Sequence, residues 1–196
     1  DEERRFWAAL RTDYHPLLWF FLFKGLRKRA CIGLVKSRVD LDNLAIIVRR
    51  KTKRGEQWVR QRNTPTQAAV LQREMALAPG GAVWSYVVQR GPEAGERRPI
   101  TVAGFDRTMD TTLKTAGIHD FRPHDLRHDF GSKLLRLTGN LKLVQKALDH
   151  TDIKATVRYA HVLDEDVAHG LADLEQSRSY PGAAANQEVV EGRKVK

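Results

Sequence analysis

Apolar positions recur along the chain at spacings that predict mostly helices. Residues 2–12 read as a short helix, and 17–34 as a mostly buried one, interrupted by a polar cluster at 24–29 that an apolar helix does not need for itself. Residues 44–48 and 57–60 read as the arms of a β-hairpin around the turn-forming Thr52-Lys53-Arg54-Gly55, with Lys51 where the first strand runs into the turn. Thr64-Pro65 opens a helix that runs to about Leu77 and stops at Pro79-Gly80-Gly81. Residues 91–99 read as a loop. Thr101 can cap a helix whose Phe105, Met109 and Leu113 recur every four residues until Gly117.

Pro123 suits the first position of the next helix, whose expected apolar stripe is Leu126, Phe130, Leu134 and Leu137. His124, Arg127 and Gly131 fall on a band beside that stripe, within the first turns, where free N–H groups and the helix dipole favour an anion. A helix with Leu141, Val144 and Leu148 follows Asn140. Then come a turn at 149–152 and a last patterned helix with Ile153, Thr156, Val157 and Ala160. Residues 163–174 could form an amphipathic helix, and 177–196 have the composition of a flexible tail. The pattern predicts one domain over residues 1–176.

With 196 residues, 41% of them hydrophobic, the chain can build one ordinary core. The single cysteine, Cys31, excludes an internal disulfide and a cysteine-based zinc cluster, and suits a reducing cytoplasm. The longest wholly apolar run, 17–23, is seven residues. A bilayer span needs roughly 18 to 20, so no membrane partner is expected. The formal charge of +10 is concentrated: between Lys24 and Arg62 stand 13 basic residues and three acidic ones, while the rest of the chain is neutral. A basic stretch of this kind fits a polyanionic partner such as nucleic acid, because each cation set on a phosphate releases counterions.

His124-Asp-Leu-Arg127 alone is a weak signal. It gains weight from His150, from Tyr159 nine residues after that, and from the arginines and lysines far upstream. On FRPHDLRHDFGSKLL, LVQKALDHTDIKATVRYAHV and GLRKRACIGLVKSRVDLDN, the chain resembles the catalytic domain of the tyrosine recombinase (phage integrase) family. The resemblance spans residues 2 to about 163. It implies a mainly α fold with a small antiparallel β-sheet (α+β) and six active-site positions. The family's Gly-Leu pair after the first arginine matches Gly33-Leu34 and selects Arg27 over Arg29. Its hairpin lysine falls on Lys51 ahead of Lys53, its His-x-x-Arg on His124 and Arg127, its second histidine on His150, and its nucleophile on Tyr159. His128 and His161 also match frequent family residues and are expected to support the site or the fold.

Attack on a phosphodiester builds charge on the non-bridging oxygens, which two always-charged guanidinium forks, Arg27 and Arg127, suit. Tyrosine near pKa 10 is only about one part in a thousand ionised at neutral pH and needs a base or cations beside it. His124 is the expected base, with His150 bonding the phosphate. By resemblance, Lys51 is the general acid for the leaving 5′-oxygen. The chemistry requires neither metal nor cofactor. The chain departs from the family pattern at Ala30, where an acidic residue usually supports the first arginine, at Lys24 before the glycine, and at Asp149 in place of glycine before the second histidine.

A metal nuclease using His124 and His128 lacks the glutamate of HExxH and an obvious third ligand. The alternatives are a type IB topoisomerase, which shares the chemistry, and a non-catalytic DNA-binding module. The resemblance further implies double-stranded DNA as partner and a homotetramer on DNA. In that assembly 163–174 is either exchanged between protomers or packed within its own. It also implies a possible accessory directionality factor, a bacterial nucleoid or phage setting, and a separate amino-terminal domain expected to be absent from this chain.

Overall fold

The computed structural model describes residues 2–52 and 55–160, with the side chains of all of these except 51 and 52. His161, the 163–174 segment and the 177–196 tail lie outside the described residues.

The first expected helix is shorter than its pattern. Helix α1 (Glu2–Ala9) stops where Arg11 and Asp13 pair around a 3₁₀ turn at Thr12–Tyr14. The expected 17–34 helix is two helices, α2 (His15–Lys24) and α3 (Lys28–Ile32). Gly25 separates them with a left-handed φ of 61°, and Phe130 lies so close that a Cβ on residue 25 would meet its ring at 2.2 Å. Only glycine fits both demands. The polar cluster at 24–29 therefore marks a break that lets another helix approach the backbone.

Strands β1 (Val39–Asp40), β2 (Ala45–Thr52) and β3 (Gly55–Arg62) form an antiparallel sheet in that order. The hairpin is longer than its apolar pattern, because arginines continue both arms beyond Val48 and Val59. Arg50 stands opposite Gln57, and Lys51 opposite Glu56. Helix α4 (Pro65–Leu77) starts in a reciprocal capping box between Thr64 and Gln67. A second ribbon joins β4 (Ser85–Val87) to β5 (Arg97–Pro99), so the expected loop at 91–99 yields its last residues to a strand. The backbone of Val87 is also gripped by Arg11 and Asp13, at 2.8 and 2.9 Å, a long-range tie that local pattern does not reveal. Helix α5 (Val102–Ala116) follows its Thr101 cap as expected.

Helix α6 (Asp125–Thr138) begins two residues later than Pro123, with His124 at its N-cap. Its buried side is Leu126, Arg127, Gly131 and Leu135, one step round from the expected stripe, and Leu137 is 84% exposed. Two residues beyond Leu135 the helix has turned about 200°. Helix α7 (Leu141–Ala147) and the short α8 (Lys154–Val157) complete the described chain. On α8, Thr156 faces inward while Val157, and Ile153 at the N-cap, are exposed.

The apolar interior falls into two clusters. The larger gathers Phe20, Phe21, Ile46, Leu71, Trp84, Phe105 and Met109 among others. The smaller holds Leu135, Val144, Leu148 and Tyr159. Helix α6 runs from one to the other, with Leu126 in the first and Leu135 in the second. The molecule is mainly helical with a small antiparallel sheet. Among the described residues no helix is long and apolar enough to cross a membrane.

Candidate active site

Arg127 is the fixed point of the site. Its side chain is buried, with Nη1 donating to the carbonyl of Gly25 at 2.6 Å and Nη2 to that of Leu148. One guanidinium thus joins the break between α2 and α3 to the end of α7. Burial first, and then the charge of Arg27, lowers its pKa to about 10, which leaves it cationic at neutral pH. Arg27 occupies the N-cap of α3 just beyond that break. Its guanidinium is exposed and makes no hydrogen bond among the described residues. The absence of an acidic neighbour at Ala30 fits that isolation, while adjacent Lys28 pairs with Asp106 at 2.8 Å.

Tyr159 packs in the smaller cluster and is 3% exposed. Gly131 leaves room for its ring, since a Cβ there would lie 2.8 Å from the phenolic carbon. The hydroxyl meets His128 Nδ1 at 2.9 Å. Burial raises the phenol's pKa, and the charges of Arg127 and Arg158 work against that rise. The sequence assigned His128 a supporting role, yet it is this ring, four residues after His124 on α6, that touches the phenol. His124 stacks edge-on to His128, with centroids 4.7 Å apart. Its pKa is lowered by burial, then by His128 and Arg127.

His150 follows the turn after α7. Its Nδ1 lies 2.9 Å from Thr156 Oγ1, and Gln145 bonds its backbone on both sides. Burial, reinforced by Arg127, Arg27, Arg158 and His128, holds its pKa down to about 4, so the ring is neutral at pH 7. Asp149, just before it, has a left-handed φ of 53°, which explains why glycine is usual there in the family it resembles. Its carboxylate is held by Arg50 Nη1 at 2.6 Å. Lys51 is the next residue of β2, and its side chain lies outside the described ones.

Arg127, His124, His150 and Tyr159 thus converge around the start of α6 and the end of α7, with the charge of Arg27 acting on Arg127 and His150. Sequence reading gave His128 a supporting role, on its match to a frequent family residue, and missed Arg158, Arg50 and the Gly25 carbonyl, for which it had no signal. Among the described residues no cluster of histidine, cysteine or acidic side chains could hold a metal. Arg50 and His150 line a cleft of about 720 Å³ whose walls also include Lys24, Arg60, Arg62, Lys142 and Lys146, a basic surface of the kind that suits phosphates.

Known proteins resemble the chain in sequence and in fold. The model of the phage integrase family matches residues 2–166. Tyrosine recombinase XerC of Pseudomonas aeruginosa is 31% identical over 183 residues, covering 90% of this chain and 56% of the relative. Tyrosine recombinase XerD of Bradyrhizobium diazoefficiens is 29% identical over 177 residues, covering 85% and 53%. The chain therefore spans about half the length of these curated relatives. Among solved structures, XerA recombinase superposes with a TM-score of 0.58 at 23% identity, covering 92% of this chain and 64% of that one. The catalytic domain of bacteriophage HP1 integrase gives 0.57 at 18% identity, covering 85% and 90%, which shows a shared fold. By the extent of the family match and by its fold, the chain belongs to the phage integrase family of tyrosine recombinases.

Proposed function

We propose that this chain carries the chemistry of a site-specific DNA recombinase, cleaving and rejoining strands through a 3′-phosphotyrosyl bond at Tyr159. The observation that carries the reading is the convergence of a buried tyrosine, a histidine on its hydroxyl and a pinned arginine, beside a basic cleft. In cleavage the Tyr159 oxygen bonds to phosphorus while the bond from phosphorus to the 5′-oxygen breaks. The phenolic proton passes to a histidine, and Lys51 gives one to the departing oxygen. Arg27 and the unused N–H groups of Arg127 take the charge on the non-bridging oxygens, and neutral His150 bonds one of them. Because one phosphoester replaces another, the 5′-hydroxyl can reverse the step, and the chemistry needs no metal or cofactor.

His128 holds the phenol inside the smaller cluster. For in-line attack the ring leaves that berth, and His124, edge-on to His128 at the N-cap of α6, is the acceptor that the family reading assigns. The basic cleft supports double-stranded DNA as the partner. The family reading adds a homotetramer on DNA, with residues 163–174 exchanged between protomers or packed within their own, an accessory directionality factor, and a bacterial nucleoid or phage setting.

The test uses a pool of nicked suicide duplexes randomised across their central positions. Covalent adducts are recovered under denaturing conditions, their DNA is sequenced, and the modified peptide is mapped. The expected product is DNA on Tyr159, absent from Tyr159→Phe and indifferent to chelator. DNA retention without any adduct would mean a binding module, and chelator-sensitive cleavage a metal nuclease.

A further inference from the structure

Arg50 and Asp149, 99 positions apart, join the sheet to the turn before His150. Arg50 Nη1 donates to Asp149 Oδ1 at 2.6 Å, and Nη2 donates to Gln57 Oε1 at 3.0 Å on the facing strand. The side chains are 24% and 10% exposed, so water screens this pair far less than a surface pair such as Arg49–Glu56, at 61% and 51%.

The backbone makes the aspartate informative. At a φ of 53°, glycine is unstrained and any residue with a Cβ is not, so Asp149 stands at a conformational cost that glycine would avoid. The turn does not need the carboxylate to keep its shape. Leu148 is held through its carbonyl by Arg127, and His150 by Gln145 and Thr156. What the carboxylate adds is a grip on β2, one residue before Lys51.

We propose that the Arg50–Asp149 pair is a positioning tether, docking the hairpin end of β2 on the His150 turn and so fixing the stretch of strand that delivers Lys51 to the leaving oxygen. This rests on the recombinase reading above. Neither residue touches the reacting atoms. Both act through Lys51, and the loss of either therefore weakens proton donation more than DNA binding.

The experiment compares two versions of a duplex recovered from the randomised pool, one with the normal 5′-oxygen at the scissile phosphate and one with sulfur in its place. A thiolate departs without a proton, so the sulfur duplex bypasses the general acid. Asp149→Gly keeps the turn and removes the carboxylate, and Arg50→Met removes the other partner from the opposite side. With the oxygen duplex, each variant should form adduct slower by on the order of 10²-fold, the scale of a misplaced catalytic group. With the sulfur duplex the deficit should vanish, and the double variant should be no slower than either single one. Rates are compared at protein concentrations that saturate each duplex, set by mobility shift, and Asp149→Gly should bind DNA no more weakly than the unsubstituted protein.

Equal deficits on both duplexes would overturn the tether, since the pair would then support the fold or His150 instead. Unimpaired cleavage of the oxygen duplex by Asp149→Gly would overturn it as well. If the unsubstituted protein formed no Tyr159 adduct with either duplex, the recombinase reading itself would fall, and the tether with it.

Discussion

Arg127 and Arg27 are assigned the same charge-stabilising task, but the fold treats them oppositely, and replacing each with methionine separates structure from chemistry. Arg127→Met removes the donors of two buried carbonyls, those of Gly25 and Leu148. An orphaned buried carbonyl costs about 1–3 kcal/mol. Relief from burying a charge works the other way, so a net loss of about 2–4 kcal/mol is expected. For a domain of this size that lowers Tm by roughly 5–15 °C. Arg27 is exposed and bonds no protein group among the described residues, so Arg27→Met should stay within about 0.5 kcal/mol of the unsubstituted protein. Both variants should lose on the order of 10²–10³-fold in covalent-adduct rate, because each removes a donor to the transition state. Melting followed by far-ultraviolet circular dichroism, alongside single-turnover adduct formation, reads both quantities. Equal melting of the two variants, or an Arg127→Met protein as stable as its parent, would refute the structural half. A normal adduct rate in the stable Arg27→Met protein would refute the catalytic half.

Three further outcomes follow from the same contacts. Gly25→Ala adds a left-handed alanine, about 1–2 kcal/mol, and a clash with Phe130, about 1–3 kcal/mol. Gly139→Ala has a similar φ of 59° and nothing within 4 Å, so only the first cost applies and chemical denaturation should rank Gly25→Ala clearly lower. A double-mutant cycle between His128→Phe and Tyr159→Phe should give a coupling of about 0.5–1.5 kcal/mol for the hydrogen bond at 2.9 Å, and additive losses would contradict it. His150 has its folded pKa depressed from 6.5 to about 4, so the unfolded chain binds the extra proton first, and its contribution is lost as pH falls from about 6.5 towards 4. Discounted for the solvent that reaches the ring, the loss from pH 7 to 5 is about 1 kcal/mol, and His150→Gln should flatten that part of a stability profile.

Much of this was legible in order but not in depth. The helices opened by Thr64, Thr101 and Asn140 were readable because each cap is a local hydrogen bond, made within four residues. Pairing of His124 with Arg127, and the place of Tyr159, came from family spacing. The break at Gly25 was visible only as a misplaced polar cluster, because its cause is a phenylalanine more than a hundred positions away. The shift of the α6 stripe had a similar origin. Pattern reading puts leucines inside, yet the inner band of α6 had to hold Arg127 for two carbonyls and Gly131 for a tyrosine ring, and Leu137 was left in solvent. Asp149 looked like a defect for the same reason: its partner, Arg50, sits on a strand 99 residues earlier.

These long-range contacts share a purpose that local pattern could not express. The larger cluster draws its aromatic residues from several elements, whereas among the described residues Tyr159 shares its cluster with three other buried residues, Leu135 of α6 and Val144 and Leu148 of α7 and its cap. Helix α8 has four residues, and Val157 on it and Ile153 at its N-cap are exposed. Among the described residues, Tyr159 thus packs in the smaller cluster, two positions beyond α8. The groups meant for the phosphate are held by separate means, Arg127 by carbonyls and His150 by Thr156 and Gln145. On the recombinase reading, withdrawal of the phenol gives up its hydrogen bond to His128 and leaves the contacts of Arg127 and His150 in place. A site arranged in this way can keep its nucleophile sheltered until phosphate binding favours the exposed form, and the differential affinity required is only that of moving one side chain.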